Sequence, residues 1–133
     1  MAHYAKVLDG RVIKVLKIEP DFFENGFQDD GPGEWIQTSY NTRGGVYWDR
    51  ETDAPHADQS KMLRYNFAGI GSYYDRDADA FYSERPYDSW TLNTDSYLWE
   101  APVDVPSDSN TRKYIWDEEN TTWQDVGAKF IPE

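Results

Sequence analysis

Three aspartates at alternate positions, Asp75-x-Asp77-x-Asp79, are the residues whose types and spacing come closest to a chemical site in this 133-residue chain. Carboxylates in this order can open a calcium-binding loop. Such a loop also needs glycine at its sixth position and a bidentate glutamate at its twelfth, where this chain has Ala80 and Pro86. The spacing therefore favours the acidic tip of a β-hairpin. A weak divalent-cation site at the three aspartates is the alternative.

Other spacings that could indicate catalysis are incomplete. His3 and His56 are far apart in the chain and fit neither a metal motif nor a catalytic triad. The glycine pairs Gly31/Gly33 and Gly69/Gly71 do not extend into a phosphate-binding loop. The chain has no cysteine, which excludes a disulfide, a thiolate metal site and a cysteine nucleophile. We expect a protein that is not an enzyme and holds no cofactor.

Aromatic side chains offer a different kind of site. The chain has six Trp, ten Tyr and six Phe, and exposed Trp or Tyr on a β surface can stack on sugar rings or fill pockets of a partner protein. The candidate interface or glycan-binding residues are Trp90, Trp99, Trp116, Trp123, Tyr73 and Tyr82. Most of the remaining aromatic residues are expected to form the core.

Charge and composition limit the partners. A net charge of −12 repels phosphate backbones, so we expect no direct binding to nucleic acid or to an anionic membrane. The opening "MAHYAKVLDG" lacks the pattern of a signal peptide, which predicts a protein made in a cytoplasm. Only 38% of the residues are hydrophobic, so the core is expected to be thin and to gain from contact with a partner or with a second copy of the chain.

The elements that must position these residues are mainly strands. We predict a single β domain over residues 1–133, built from successive antiparallel hairpins in a sandwich or barrel-like arrangement. The first hairpin spans residues 4–18 around Asp9-Gly10, with Leu8 opposite Arg11, Val7 opposite Val12, and Tyr4 opposite Val15. One short helical segment is expected near residues 20–25. The polar, proline-broken stretch 49–60 is predicted to be a mobile loop.

A hairpin pattern recurs within residues 66–126. Each unit has a large apolar residue, then Asp or Asn, then an acid two positions later, and a second large apolar residue seven positions after the first. The Asp or Asn is predicted to accept a hydrogen bond from a backbone N–H two residues later. The cross-strand pairs that this pattern predicts are Tyr74/Phe81, Leu92/Trp99 and Trp116/Trp123.

Several phrases in this half of the chain resemble one group of proteins. "NFAGIGSYYD", "DAFYSERPYDSWTLN", "YLWEAP" and "YIWDEENTTW", in that order, are similar to small virion-associated proteins of tailed phages that infect marine cyanobacteria and related hosts. "MAHYAKVLDGRVIKV" and "WIQTSYNTRGGVYW" resemble the N-terminal half of the same group. The segment "DRETDAPHADQSKMLRYN" and the missing consecutive prolines in "FYSERPYDSW" depart from it, and both lie in expected loops.

The resemblance implies a structural component of a phage particle with no catalytic residue. It leads to the hypothesis of a virion protein that docks on other phage proteins of the head or tail, with a slight preference for a capsid decoration or surface accessory role. The aromatic residues support an alternative, a carbohydrate-binding module at a tail tip that recognises host polysaccharide. A tail-fibre assembly chaperone is a third hypothesis.

Overall fold

The computed structural model describes residues 2–22 and 31–129, and these residues form a mainly β protein. The strands are β1 (Ala2–Leu8), β2 (Arg11–Ile18), β3 (Glu34–Thr38), β4 (Thr42–Arg43), β5 (Val46–Asp49), β6 (Ala54–Pro55), β7 (Tyr73–Asp75), β8 (Ala80–Tyr82), β9 (Thr91–Asn93), β10 (Leu98–Glu100), β11 (Arg112–Asp117) and β12 (Thr122–Ala128). Two short 3₁₀ helices span Pro20–Phe22 and Gln59–Lys61. The predicted fold class of successive antiparallel hairpins is confirmed. Within the described residues no helix is long and apolar enough to cross a bilayer.

The chain of this small domain divides into two compact units. The first contains residues 1–84 and 93–98, and the second contains residues 85–92 and 99–133. A five-stranded sheet in the order β3-β1-β2-β7-β8 and a three-stranded sheet in the order β4-β5-β6 belong to the first unit. The β11–β12 hairpin belongs to the second unit. The β9–β10 hairpin is shared, because its tip belongs to the first unit and its base to the second.

The first hairpin follows its turn sequence. Asp9 and Gly10 have φ angles of 51° and 80°, the two left-handed conformations of a type I′ turn. Leu8 pairs with Arg11 and Val7 pairs with Val12, as predicted. The predicted partner of Tyr4 was wrong: a β-bulge between Lys6 and Val7 shifts the register by one residue, so Tyr4 pairs with Leu16 instead of Val15.

The core of the first unit is small. It consists of Ala5, Val7, Val12, Ile36, Ala68 and Phe81, with Val15 and Tyr74 packed against it. Most of these residues are aliphatic, whereas the sequence had suggested a mainly aromatic core. Many Tyr and Trp side chains are half-buried instead, which leaves ring surface near the solvent.

Two other predicted elements are seen in part. The short helical segment is a 3₁₀ helix at Pro20–Phe22, and residues 23–25 lie outside the described residues. The stretch 49–60 contains β6 and part of the second 3₁₀ helix, and the backbone N–H of His56 donates to the carbonyl of Tyr47 over 2.8 Å. Its mobility stays a prediction.

Candidate functional site

Asp75, Asp77 and Asp79 form the tip of the β7–β8 hairpin. Oδ1 of Asp75 accepts hydrogen bonds from the backbone N–H groups of Asp77 at 3.1 Å and Ala78 at 3.2 Å. Oδ1 of Asp79 accepts from Nε of Arg64 at 2.9 Å and from the hydroxyl of Tyr74 at 2.5 Å. These carboxylates are therefore directed to the turn and to a guanidinium rather than to a shared point. Among the described residues, no group of three His, Cys, Asp or Glu side chains could hold a metal ion.

The same turn geometry recurs at the other predicted hairpins. Asn93 accepts from the N–H of Asp95 at 2.8 Å, and Asp117 accepts from the N–H of Asn120 at 3.2 Å. The fifth residue of each turn has a left-handed backbone: φ is 53° at Asp79, 57° at Tyr97 and 48° at Thr121. Tyr74 pairs with Phe81 and Trp116 pairs with Trp123, as predicted.

A fourth copy of this turn was missed in the sequence. Asp49 accepts from the N–H of Glu51 at 2.9 Å, Asp53 has φ of 55°, and Trp48 pairs with Pro55 seven positions later. Trp48-Asp49-x-Glu51 carries the same signal as the other units. This unit was not recognised because Pro55 stands where the other three units have a large aromatic residue.

Three of the four candidate tryptophans pack on one another in the second unit. The ring centroid of Trp116 lies 5.2 Å from that of Trp123 and 6.0 Å from that of Trp90. The centroids of Trp90 and Trp123 are 6.1 Å apart, and the ring planes of all three pairs are steeply inclined to each other. Only 7% of Trp116 is exposed. Since the three rings pack edge to face, they form a small aromatic core that supports the β11–β12 hairpin. We call Trp90, Trp116 and Trp123 the tryptophan cluster.

A half-buried carboxylate that accepts from an indole anchors the tryptophan cluster. Oε1 of Glu118 accepts from Nε1 of Trp116 at 2.8 Å and from the hydroxyl of Ser89 at 2.5 Å, while its Oε2 accepts from the N–H of Ser89 at 3.0 Å. The Ser89 and Trp116 hydrogen bonds lower the pKa of Glu118. By contrast, Nε1 of Trp90 is buried and has no hydrogen-bond partner within the described part of the chain.

The other three candidates are Trp99 in the second unit and Tyr73 and Tyr82 in the first. The guanidinium of Arg85 lies over the ring of Trp99, 5.0 Å from the ring centroid. Tyr73 and Tyr82 oppose each other on β7 and β8 with stacked rings 5.5 Å apart, and the guanidinium of Arg11 lies 4.6 Å from the ring of Tyr73. The faces of these rings are partly occupied by neighbours in the same unit.

The outer face of the β11–β12 hairpin presents apolar side chains. Ile115 pairs with Gln124, so Val126 lies diagonally beside Ile115 on the face opposite Trp116 and Trp123. Ile115 is 46% exposed and Val126 is 47% exposed. In the two-stranded sheet of β11 and β12, each strand also has one edge without a partner strand. We call this surface the outer hairpin face.

One opening in the first unit is a cleft of about 780 Å³. Its lining includes His3, Lys17, Gln37, Ser39, Tyr40 and Lys61. Three strands supply one row of the wall, because His3 on β1 pairs with Lys17 on β2 and with Thr38 on β3. We call this opening the cationic cleft, since none of the described residues that line it is an aspartate or glutamate.

The second wall of the cationic cleft is held by the 3₁₀ helix at Gln59–Lys61. Gln59 clamps this helix to β5, accepting from the N–H of Tyr47 and donating to its carbonyl, each over 2.8 Å. Asp58 caps the helix by accepting from Ser60, and these hydrogen bonds lower the pKa of Asp58. Lys61 is therefore fixed to the scaffold at its backbone while its side chain reaches solvent.

Two of the residues that line the cationic cleft, His3 and Tyr40, belong to an aromatic group. His3 stacks on Tyr40 with ring centroids 5.4 Å apart, and both rings meet Phe67 edge-on. Partial burial, followed by the nearby charge of Lys17, lowers the pKa of His3. Sequence spacing could not have revealed this group, because its members come from strands and loops distant in the chain.

A second opening of about 460 Å³ shares Tyr40 and Asn41 with the cationic cleft. It is lined by Thr42, Arg43, Phe67, Tyr82 and Tyr97 among others, again with no carboxylate among its described lining residues. The hydroxyl of Thr42, a residue only 2% exposed, has no hydrogen-bond partner in the described structure. An unsatisfied buried hydroxyl is costly, and this one is out of reach of solvent, so the opening does not expose it.

Comparisons with known proteins add no family to this description. No protein-family model matches the chain, and neither the curated proteins nor the solved structures contain a significant match.

Proposed function

We propose that this protein is a non-enzymatic structural component of a tailed-phage particle, located in the virion and bound to other virion proteins. The resemblance to virion-associated proteins supports the phage origin. The observation that carries the docking role is the outer hairpin face, where Ile115 and Val126 are each nearly half exposed beside unpaired strand edges.

Physical reasoning favours a partner for this surface. A two-stranded hairpin is only marginally stable in water, and exposed strand edges pair readily with other chains. The tryptophan cluster supports the inner face of the hairpin, but the described residues place no layer over Ile115 and Val126. A partner surface that contributes apolar side chains or an added strand would bury this face.

Charge indicates what the partner surface contains. Among residues 85–92 and 99–129 there are eight acidic and four basic side chains, so an apolar patch rimmed by Lys and Arg would complement this unit. A decoration or surface accessory role fits such a partner, because the acidic exterior is kept away from packaged DNA by repulsion.

Reconstitution on phage particles tests the proposal. Particles grown from a phage lacking the gene are mixed with purified protein, sedimented, and analysed by quantitative mass spectrometry. We expect the wild-type protein to sediment at a saturable, fixed copy number. The double variant Ile115→Asp/Val126→Asp should lose this binding, because it places two charges in the contact.

The matched control is Ile13→Asp, since Ile13 is 43% exposed but lies in the first unit. This variant should bind as the wild-type protein does. Absence of the protein from native particles, together with no binding to the deficient ones, would overturn the proposal. Equal binding by the double variant would show that another surface docks.

A further inference from the structure

The cationic cleft has a charge opposite to that of the whole protein. The chain carries 25 acidic and 13 basic residues, yet Lys17 and Lys61 are the charged side chains that line this cleft, with His3 beside them. Neither ammonium group forms an ion pair within the described residues. Asp58 interacts electrostatically with Lys61 but does not line the cleft, so two cations and no carboxylate face this opening and form a site for an anion.

Polar side chains in the same cleft also have hydrogen-bonding capacity to spare. Ser39 and Asn41 line the cleft, and their side chains make no hydrogen bond within the described part of the chain. They supply amide and hydroxyl groups, which can both donate and accept. A bare inorganic anion would use only their donors, whereas a ligand with several hydroxyl groups would use both.

The volume of the cleft indicates a ligand larger than a small ion. The cleft, at about 780 Å³, falls within the range of roughly 300–1,000 Å³ typical of small-molecule sites. The neighbouring opening shares Tyr40 and Asn41 with the cleft, and Arg43 is among the residues that line it. The arrangement suits a sugar chain with one ring in each opening.

We propose that the cationic cleft binds an acidic sugar, meaning a saccharide unit that carries a carboxylate, sulfate or phosphate together with free hydroxyl groups. The two ammonium groups pair with the acidic group, and Ser39 and Asn41 bind the hydroxyls. A following ring lies in the second opening, which Arg43 lines. This site is in the first unit, whereas the four tryptophans that the sequence had suggested for glycan binding belong to the second.

Because the protein as a whole is acidic, binding of an acidic sugar has to come from contacts within the cleft. At a net charge of −12, long-range electrostatics repel a polyanion. Added salt screens this repulsion beyond roughly 10 Å, while contacts within the cleft are screened less. Binding is therefore expected to weaken only slightly with salt, unlike the steep loss seen when a basic surface attracts polyanions.

Binding measurements with defined sugars test the proposal. The probes are an oligogalacturonate, a heparin-derived disaccharide and glucose 6-phosphate, with a neutral cellobiose and inorganic sulfate as controls. Backbone amide NMR shifts locate the site, and calorimetry gives Kd. We expect shifts at residues 37–41 and 60–61, and at least one acidic sugar that binds about tenfold or more tightly than either control.

Matched variants separate the cleft from general charge effects. Lys17→Gln/Lys61→Gln should raise Kd for the acidic sugar about tenfold or more, because it removes both charge-assisted contacts. Lys113→Gln is the control: it removes a lysine of the second unit and should leave Kd unchanged. Circular dichroism checks that each variant keeps its β structure.

The comparison among probes identifies the acidic group, since carboxylate, sulfate and phosphate compete for the same two lysines.

Three outcomes would overturn the proposal. One is the absence of shifts at the cleft with every acidic sugar. Another is equal affinity for inorganic sulfate and for the sugars, which would leave only a simple anion site. The last is an unchanged Kd in the double lysine variant.

Discussion

Arg64 and Asp79 are joined by an ion pair of 2.9 Å, and both have a left-handed backbone, with φ of 55° and 53°. The pair links the loop before β7 to the tip of the β7–β8 hairpin. Arg64 also donates from Nη1 to the carbonyl of Gln37 at 2.8 Å, at the end of β3. One arginine thus connects the two outer regions of the five-stranded sheet, and it explains why the third aspartate of the turn is directed away from the other two.

The first prediction concerns the charge of Asp79. Asp79→Asn keeps a residue that tolerates the left-handed conformation but removes the charge. We expect a loss of about 0.5–1 kcal/mol at neutral pH, the range of a solvent-screened pair. Urea unfolding at several pH values measures this loss. Asp77→Asn is the control, because the Asp77 side chain makes no hydrogen bond within the described residues.

The pH dependence of this loss has a defined sign. The Tyr74 hydroxyl and the Arg64 guanidinium hold the pKa of Asp79 below its ordinary value of 3.8. A lowered folded pKa gives stability that is present above the unfolded pKa and is lost as the pH falls through the folded one. The difference between wild type and Asp79→Asn should therefore shrink as the pH falls below the ordinary pKa of 3.8 and disappear in stronger acid. Persistence of the full difference in acid would contradict the assignment.

The second prediction concerns the left-handed Thr121. A β-branched residue is strained at φ of 48°, and Asn adopts this conformation more readily. Thr121→Asn should raise the free energy of unfolding by about 0.5–1 kcal/mol. Thr122→Asn is the matched control on the adjoining strand, where Asn is disfavoured and a small loss is expected. A loss of stability in Thr121→Asn, measured by urea unfolding, would show that the turn does not store this strain.

Local turn chemistry was predictable from the sequence, whereas tertiary placement was not. Asp9-Gly10 set the first turn because only certain residues tolerate two positive φ angles. The bulge at Lys6/Val7 could not be predicted, since a one-residue shift depends on which side chains the rest of the sheet buries. The cationic cleft was invisible for a similar reason: its two lysines are brought together by β-sheet pairing and by the clamp at Gln59.

The third prediction compares two tryptophans by the same substitution. Trp116 donates from its indole to Glu118, whereas the buried indole N–H of Trp90 has no partner among the described residues. Trp116→Phe removes a hydrogen bond to a carboxylate, but Trp90→Phe removes an unsatisfied donor. We expect Trp116→Phe to cost about 1–3 kcal/mol more than Trp90→Phe. Urea unfolding followed by circular dichroism gives both values, and an equal or larger cost at Trp90 would be evidence against the Glu118 anchor.

The last prediction concerns Tyr114, whose hydroxyl donates to Oδ1 of Asp108 at 2.6 Å. This hydrogen bond, with smaller contributions from burial and from nearby carboxylates, raises the pKa of Tyr114 to about 12. The folded state therefore retains a proton that the unfolded chain loses near pH 10, so this stabilisation is present below pH 10 and is lost as the pH rises to about 12.

Ultraviolet difference titration of the wild-type protein against Tyr114→Phe isolates this tyrosine from the other nine. Asp108→Asn removes the charged acceptor and should return the pKa of Tyr114 toward its ordinary value of 10.0. Asp104→Asn is the matched control, because it removes one carboxylate from the same segment and leaves the hydrogen bond intact. If Tyr114 titrated near pH 10 in the wild-type protein, the contact with Asp108 would not exist in solution, and the segment before β11 would be held by other interactions.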